Sequence, residues 1–261
     1  MNLSFNTSVA DSYKSNSQRA RVLTESWFGQ NMYCPICGAP SLVHTKANKP
    51  VEDFYCEKCN AEFELKSRKK KTPGISNTIS GGEYNTMRRR LNDLDRPHFI
   101  FLNYFDNKVK EVILIPNFFF TESIIQERPA LPEGSKRAGW QGCNILLKTI
   151  PEECRIPLIV NSQETNHDEV MKAYHKLESL RKDTIGKRRW LFDVMQCVNK
   201  LPVEFTLDDI YKFTDELQVK HPKNYHVQDK IRQQLQFLRD KEYLEFISRG
   251  TYRRIGRTSL L

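Results

Sequence analysis

The chain has 261 residues, enough for one large domain or two smaller ones. Its 41 lysines and arginines against 32 aspartates and glutamates give a formal net charge of +9, which favours a polyanionic partner. With 39% hydrophobic and 28% charged residues, the composition excludes a collagen and a disordered tail. The longest apolar runs, such as 112–115, are too short to cross a bilayer, and residues 1–5 lack the features of a secretory signal. We therefore expect no membrane contact and a cytoplasmic location.

Seven cysteines occur in the chain: Cys34, Cys37, Cys56, Cys59, Cys143, Cys154 and Cys197. An odd number without a secretory signal indicates a reducing compartment rather than a disulfide framework. The first four form two Cys-x2-Cys pairs, a spacing at which each pair binds one ion in tetrahedral geometry. The sequence therefore predicts a closed, structural zinc site, and it assigns the other three cysteines to packing.

Residues 1–181 show both helical and strand patterns. Helices are predicted over 12–28 and 84–94, strands over 61–67, 98–104, 109–116 and 156–160, and polar loops over 68–82 and 129–142. In the first strand, Ala61, Phe63 and Leu65 alternate with polar residues, which is typical of a strand buried on one face. Helices beside a mixed sheet indicate an α/β or α+β domain.

Residues 182–261 carry 16 basic and 11 acidic residues and are more positive per residue than the rest of the chain. After a linker at 181–188, helices are predicted over 189–199, from a cap at Thr206, and over 224–240. The last has an apolar stripe formed by Val227, Ile231, Leu235 and Leu238. Strands predicted over 243–247 and 251–255 flank a turn at 248–250. Three helices followed by a basic hairpin indicate a winged helix-turn-helix.

Asp53, Glu64 and Lys66 form a D-x10-E-x-K pattern around the second cysteine pair. On a strand, Glu64 and Lys66 point to the same face, and a hairpin partner can bring Asp53 beside them. Two carboxylates placed in this way hold Mg²⁺, and a lysine ammonium can orient or deprotonate the attacking water. The same spacing also occurs on solvated strand faces, but the adjoining zinc element and the DNA-binding pattern that follows favour the catalytic interpretation.

Longer strings of residues point to one family of enzymes. These strings are 13–18, the two cysteine pairs, 53–56, 62–67, 137–140, 142–145 and 231–236. Over nearly its whole length the chain resembles the DpnI family of methyl-directed restriction endonucleases, which cut GATC when its adenines are methylated. The sequence departs from the family mostly in loops, at 69–73 and around 221–222, and in the tail 256–261. Glu52 stands where the PD-(D/E)xK pattern has proline, a position that is commonly relaxed.

The resemblance implies a PD-(D/E)xK endonuclease domain over 1–181, with a zinc element at 34–59, and a winged-helix domain over 182–261. It implies Asp53, Glu64 and Lys66 as catalytic residues, with Mg²⁺ held by Asp53, Glu64 and the main-chain carbonyl of Leu65. The structural Zn²⁺ would be held by Cys34, Cys37, Cys56 and Cys59. The expected partner is double-stranded DNA with adenine-methylated GATC sites, bound by a monomer in the bacterial cytoplasm.

Ten residues are predicted to contact DNA: Arg137, Trp140, Asn224, Tyr225, Gln228, Arg232, Gln233, Arg249, Tyr252 and Arg253. Residues near the start of a recognition helix read base edges in the major groove, so Asn224, Tyr225 and Gln228 are better placed than those that follow. The hairpin residues, together with Arg254, would contact phosphates. The resemblance implies that Trp140 forms an apolar wall for the adenine methyls, although a tryptophan beside a sheet is more often a core residue.

A transcriptional regulator is the alternative hypothesis. In that case the zinc domain would bind a partner protein, and the winged helix would bind an operator. Asp53, Glu64 and Lys66 discriminate between the two hypotheses, because a regulator has no use for them.

Overall fold

The computed structural model describes residues 1–45, 51–93, 96–181 and 184–255, apart from the side chain of residue 185. It divides the chain into two compact units. The first comprises Met1–Ile150 and Cys154–Glu178, and the second comprises Pro151–Glu153 and Ser179–Leu261. Within the described residues, every helix is too short or too polar to span a bilayer.

The first unit contains three α-helices and ten strands among its described residues. The helices are α1 (Asn16–Asn31), α2 (Tyr84–Asn92) and α3 (His167–Glu178). The strands are β1 (Val43–His44), β2 (Phe54–Tyr55), β3 (Glu62–Lys69), β4 (Ile79–Glu83), β5 (His98–Phe105), β6 (Lys108–Ile115), β7 (Ile125–Glu127), β8 (Gly142–Ile145), β9 (Ile156–Val160) and β10 (Gln163–Glu164). This is the mixed α/β architecture that the sequence predicts.

Two sheets organise this unit. The larger sheet has the strand order β1-β2-β3-β5-β6-β9-β10, in which β3 and β5 are parallel and the other neighbours are antiparallel. The smaller sheet has the order β4-β8-β7 and is antiparallel. The sequence predicts neither β4, which lies mostly in the loop predicted over 68–82, nor β8, which begins at the last residue of the loop predicted over 129–142. Their pairing joins residues about 60 positions apart, and no local pattern reveals it.

The larger sheet is covered on both faces near β3. On one face Phe28 of α1 packs against Phe54, with ring centroids 4.8 Å apart. On the other face Phe99 stacks on Phe120 at 4.0 Å. The prediction that β3 is buried on one face only is therefore wrong: Glu64, which is paired in register with Phe99, is only 5% exposed.

The second unit is a helix-turn-helix with a small sheet. Its helices are α4 (Ile185–Asn199), α5 (Leu207–Tyr211), α6 (Thr214–Lys220) and α7 (Val227–Asp240). Its strands are β11 (Glu204–Thr206), β12 (Leu244–Ser248) and β13 (Thr251–Arg254), in the order β11-β13-β12. The predicted apolar stripe of α7 is confirmed, because Val227, Ile231, Leu235 and Leu238 are all buried.

The second unit has one more helix and one more strand than the sequence predicts. The helix that Thr206 caps ends at Tyr211, whose carbonyl oxygen accepts a hydrogen bond of 2.6 Å from the Thr214 hydroxyl as α6 begins. The added strand β11 pairs with β13 across about 45 residues of sequence. Local patterns do not predict such a pairing, whereas the capping box between Thr206 and Asp209 is present as predicted.

Candidate functional site

The backbone of Asp53, the residue immediately before β2, is fixed by hydrogen bonds on both sides. Its N–H donates to the carbonyl oxygen of Phe63 at 2.9 Å, and its own carbonyl oxygen accepts from the N–H of Thr45 at 2.9 Å. The hairpin expected from the sequence is therefore present, with Phe54 opposite Phe63 in the β2–β3 register.

The side chain of Asp53 reaches the strand that carries the other two motif residues. Its Oδ2 accepts a hydrogen bond of 2.8 Å from the backbone N–H of Leu65. The β2–β3 ladder ends at Phe54 and Phe63, so at Leu65 this carboxylate stands where a neighbouring strand would otherwise pair. Because the N–H and C=O of one strand residue point to the same edge, the Leu65 carbonyl also faces the Asp53 side.

Glu64 and Lys66 lie on the same face of β3 and form an ion pair. Burial raises the pKa of Glu64, and the Lys66 ammonium, which lowers it, does not cancel that effect. Burial opposes the charge of Lys66, but the carboxylates of Glu64 and Asp53 outweigh it and raise the pKa of Lys66. The structure thus brings all three residues of the motif into one electrostatically coupled group.

A third carboxylate, Glu25 of α1, belongs to this neighbourhood and was missed by the sequence analysis. Burial raises its pKa, and the charge of Asp53 raises it further. Its carboxylate also lies 3.4 Å from Nε2 of His44 and 3.8 Å from Arg21. In the sequence, Arg21 and Glu25 form an ordinary i,i+4 pair on a helix, so no local signal distinguishes this glutamate from a surface residue.

The four cysteines of the predicted zinc element, here called the knuckle, come together as predicted: Cys34, Cys37, Cys56 and Cys59. All four sulfur atoms lie within 4.8 Å of one another. The Sγ atoms of Cys34 and Cys59 are 3.7 Å apart, and those of Cys37 and Cys56 are 3.6 Å apart. Zn–S bonds of about 2.3 Å in a tetrahedron place sulfur atoms about 3.8 Å apart, so this cluster could hold a zinc ion.

The two cysteine pairs have the same local backbone. The N–H of Gly38 donates to the carbonyl oxygen of Cys34 at 2.9 Å, and the N–H of Asn60 donates to that of Cys56 at 2.8 Å. Both Gly38 and Asn60 have positive φ, 71° and 57°, as a tight turn after the second cysteine requires. The remaining cysteines, Cys143, Cys154 and Cys197, are buried, as predicted for packing residues.

The recognition helix α7 begins three residues later than expected, so two of its predicted contact residues precede it. Oδ1 of Asn224 accepts from the backbone N–H of His226 at 2.8 Å, which fixes the turn into the helix. Tyr225 is 86% exposed, an unusual cost for an aromatic side chain without a partner.

The other predicted contact residues lie on α7 itself. Gln228 is exposed on the first turn of the helix, whereas Arg232 is exposed but ion-paired with Asp229. Gln233 is also exposed, and its Oε1 accepts from the Lys230 ammonium at 2.6 Å.

The wing, defined as Leu244–Arg254, engages most of its predicted contact residues in contacts within the protein. Tyr252 is 7% exposed, with its ring 5.8 Å from that of Phe205. Arg253 donates to Glu204 at 2.9 Å and to Glu245 at 3.2 Å, so two carboxylates already balance its charge. Arg254 donates to Asn199 and to the carbonyl oxygen of Leu201. These contacts favour packing and pairing roles over the expected phosphate contacts, and they leave Arg249, which is exposed, as the best placed of the four.

Two models of known protein families match this chain. A family model described as DpnI, the Dam-replacing family, matches residues 1–183. The chain belongs to this family. A second model, described as the Dam-replacing HTH domain, matches residues 186–254. The resemblance inferred from the sequence is thus confirmed. Membership of the DpnI family indicates a DNA-binding, methyl-directed restriction endonuclease, and the alternative of a transcriptional regulator is not favoured.

In this member of the DpnI family, Trp140 lies at the base of a hairpin-like loop, 128–142. The backbone N–H of Leu131 donates to the carbonyl oxygen of Trp140 at 2.9 Å, and that of Arg128 donates to Gly142 at 2.9 Å. Trp140 is half-buried, whereas the other two tryptophans, Trp27 and Trp190, are 3% and 7% exposed. Trp27 and Trp190 are therefore core residues.

Proposed function

We propose that this chain is a Mg²⁺-dependent type II restriction endonuclease that hydrolyses phosphodiester bonds of double-stranded DNA at adenine-methylated GATC sites. The observation that carries the proposal is the hydrogen bond between the Asp53 carboxylate and the Leu65 N–H, beside the buried pair of Glu64 and Lys66. We assign residues 1–181 to a PD-(D/E)xK nuclease domain and residues 182–261 to a winged-helix domain.

The donor set at this site suits a magnesium ion. The carboxylates of Asp53 and Glu64 and the carbonyl oxygen of Leu65 are hard oxygen ligands, which Mg²⁺ prefers. The placement of the Leu65 carbonyl on the Asp53 side of β3 supports its inclusion. When bound, Mg²⁺ would polarise a phosphoryl oxygen and lower the pKa of a water molecule.

The Lys66 ammonium would place a positive charge beside the reacting phosphate. Its ammonium shares the Glu64 face of β3 and is 19% exposed, so it can approach a phosphate that docks there. In that position it orients the attacking water and offsets the negative charge that develops in the transition state. Asp53 and Glu64 hold their positions through the hairpin and the strand, which keeps the site organised before DNA arrives.

The four-cysteine cluster would hold a structural zinc ion that fixes this hairpin. Cys56 follows β2 directly, and Cys59 lies three residues before β3, so the cluster closes the turn between the two strands. A four-sulfur site has no open position for water or substrate, which supports a structural rather than a catalytic role.

The second unit supplies most of the sequence reading in this proposal. Tyr225 and Gln228 are exposed at the start of α7, where a recognition helix meets base edges. An exposed aromatic ring next to an amide suits N6-methyladenine, which keeps one N–H donor and presents an apolar methyl. Arg249 at the tip of the wing would bind a phosphate and add affinity rather than sequence choice.

The decisive experiment is incubation with plasmid DNA in Mg²⁺. Plasmid from an adenine-methylating host should be cut into the GATC fragment pattern, whereas the same plasmid from a non-methylating host should remain intact. Equal cutting of both plasmids would contradict methyl direction. Failure to cut either plasmid at any Mg²⁺ concentration would contradict the nuclease assignment.

A further inference from the structure

The loop that carries Trp140 is held firmly at its base. Besides the bonds from Leu131 and Arg128, the N–H of Gly139 donates to the Leu131 carbonyl oxygen at 2.9 Å, and the N–H of Trp140 donates to that of Arg137 at 3.0 Å. The loop is also tied to α2, because the N–H of Tyr84 donates to the carbonyl oxygen of Gln141 at 2.9 Å. The position of the Trp140 backbone is therefore set by several bonds that do not involve its side chain.

The indole of Trp140 is enclosed between a buried glycine and an exposed arginine. A Cβ atom added to Gly142 would lie 2.8 Å from both Cζ3 and Cη2 of the ring, so the ring rests against the backbone of β8. The guanidinium of Arg137 lies over the ring with its carbon 4.4 Å from the centroid, a cation–π contact. Gly142 is buried and Arg137 is exposed, so the arginine covers the side of the ring that faces solvent.

We infer that Arg137 is a displaceable cover on the methyl-sensing face of Trp140. The inference rests on the proposed function and on the role that the family resemblance implies for Trp140, whose indole would pack against the adenine methyls of the target site. A methyl group and the guanidinium cannot occupy the same face at once. Binding of methylated DNA would therefore exchange the cation–π contact for methyl contacts and release Arg137 toward a DNA phosphate.

Such a cover increases the ratio of the cleavage rates on methylated and unmethylated DNA. The bound enzyme would exist in covered and uncovered forms, and cleavage would require the uncovered one. When the covered form dominates, each methyl contact multiplies the uncovered fraction by nearly the full Boltzmann factor of its contact energy. When the cover is absent, the site is open on methylated and unmethylated DNA alike, and the same methyls change the competent fraction little. Arg137 is thus a specificity-determining residue rather than simply a phosphate ligand.

The test compares single-turnover cleavage of fully methylated and unmethylated duplexes at saturating enzyme. The ratio of the two rates should fall in Arg137→Ala by about two- to five-fold, the population change that loss of one exposed cation–π contact produces. Arg137→Lys, which keeps a cation above the ring, should restore most of the ratio. Lys136→Ala is the matched control, because it removes an exposed charge from the same loop without uncovering the indole, and its ratio should equal that of the wild type.

Fluorescence gives a second measurement that does not depend on cleavage. Trp27 and Trp190 are buried and should be poorly accessible to acrylamide. The quenching that is lost in Trp140→Phe therefore reports on Trp140. That signal should be quenched more strongly in Arg137→Ala than in the wild type. Fully methylated DNA should protect it in both proteins.

An unchanged cleavage ratio in Arg137→Ala, or unchanged quenching of Trp140, would overturn the cover. A reduced ratio in both Arg137→Ala and Lys136→Ala would also overturn it, because loss of charge alone would then explain the effect. If the wild-type chain itself does not distinguish the two duplexes, the proposed function fails instead. The two failures are therefore separable.

Discussion

The carboxylate of Asp53 accepts a hydrogen bond of 2.8 Å from the backbone N–H of Leu65, which joins the residue just before β2 to the middle of β3. A single bond thus places one carboxylate beside the strand that carries Glu64 and Lys66. It also gives Asp53 two separate duties: its oxygen holds the strand edge, and its charge would bind the metal.

These two duties can be separated by Asp53→Asn. The amide oxygen can still accept from Leu65, so we expect the fold and DNA binding to remain, while loss of the charged ligand should slow cleavage at least about a thousand-fold. Lys66→Gln should have a similar effect on the rate. Single-turnover cleavage in Mg²⁺ and fluorescence anisotropy of methylated DNA measure the two properties. Lys58→Ala, an exposed lysine of the knuckle, is the control; near-native cutting by Asp53→Asn would remove this residue from the mechanism.

Zinc should be needed for the first unit to fold. Cys56→Ser replaces one of four thiolates, and because metal binding free energy is part of folding free energy, we expect loss of the ion and a markedly lower melting temperature. Metal analysis should find one zinc per chain in the wild type and none in the variant. Cys154→Ala, a buried cysteine of the same unit outside the cluster, should keep its zinc. A folded, metal-free wild-type protein would contradict the assignment.

The cysteine cluster and the Asp53–Glu64–Lys66 group were predictable from the sequence, because both depend on short spacings. Two Cys-x2-Cys pairs have few uses besides a metal, and alternate residues of a strand always share a face. The apolar stripe of α7 was predictable for the same reason: a helical period is visible locally.

What the sequence could not predict depends on residues far apart in the chain. The burial of Glu64 follows from its pairing with Phe99, and the proximity of Glu25 to Asp53 follows from how α1 packs on the sheet. The ion pairs of Arg253 arise in the same way, because Glu204 becomes its neighbour only through the β11–β13 pairing. Counting the basic residues of a hairpin in the sequence therefore overestimates the number of cations that are available to DNA.

The wing provides a direct test of that distinction. Each phosphate contact by a cation adds about 0.9 to the slope of log K against log salt concentration. In a nuclease-inactive Asp53→Asn chain, Arg249→Ala should reduce the slope by about that amount. Arg253→Ala should change it less, because Glu204 and Glu245 already neutralise the guanidinium. DNA-binding titrations between low and moderate salt measure both slopes; a larger change for Arg253→Ala than for Arg249→Ala would reverse the assignment.

The capping box of α5 should make the second unit sensitive to acid. The Lys212 ammonium, followed by the N–H and hydroxyl of Thr206, lowers the pKa of Asp209 in the folded chain. Because the folded pKa lies below the unfolded value of about 3.9, the stabilisation is complete above that value and is lost as pH falls through the folded pKa. Asp209→Asn should therefore lower the melting temperature at pH 5 and above, and the difference from wild type should shrink below about pH 4.

Asp208→Asn is the matched control for this cap, because Asp208 is an exposed acid in the same turn. Thermal unfolding followed by circular dichroism at several pH values gives both differences. Equal pH dependence in the two variants would show that the charge at the helix start matters and that the capping geometry does not. Thr206→Ala should cost about 1 kcal/mol, as loss of an N-cap usually does.

The final prediction concerns how firmly the methyl sensor is held in place. Gly142 lies against the Trp140 ring, and a Cβ atom there would clash with two ring carbons at 2.8 Å, so Gly142→Ala must push the indole away from β8. We expect this variant to keep its zinc and its DNA affinity but to lose discrimination between fully methylated, half-methylated and unmethylated duplexes. Trp140→Ala should lose it as well, since burying one methyl against the ring is worth about 1 kcal/mol, or roughly five-fold per methyl.

Gly82→Ala separates the loss of glycine from the displacement of the ring. A Cβ atom at Gly82 would meet nothing within 4 Å, so this substitution replaces a glycine of the same small sheet without a clash. Its three cleavage rates should keep the wild-type ratios. If Gly142→Ala and Trp140→Ala also keep those ratios while cutting at normal rates, the indole is only a packing residue at the base of its loop. The sensing of the methyl groups would then have to lie in the recognition helix, where the exposed ring of Tyr225 is the next residue to test.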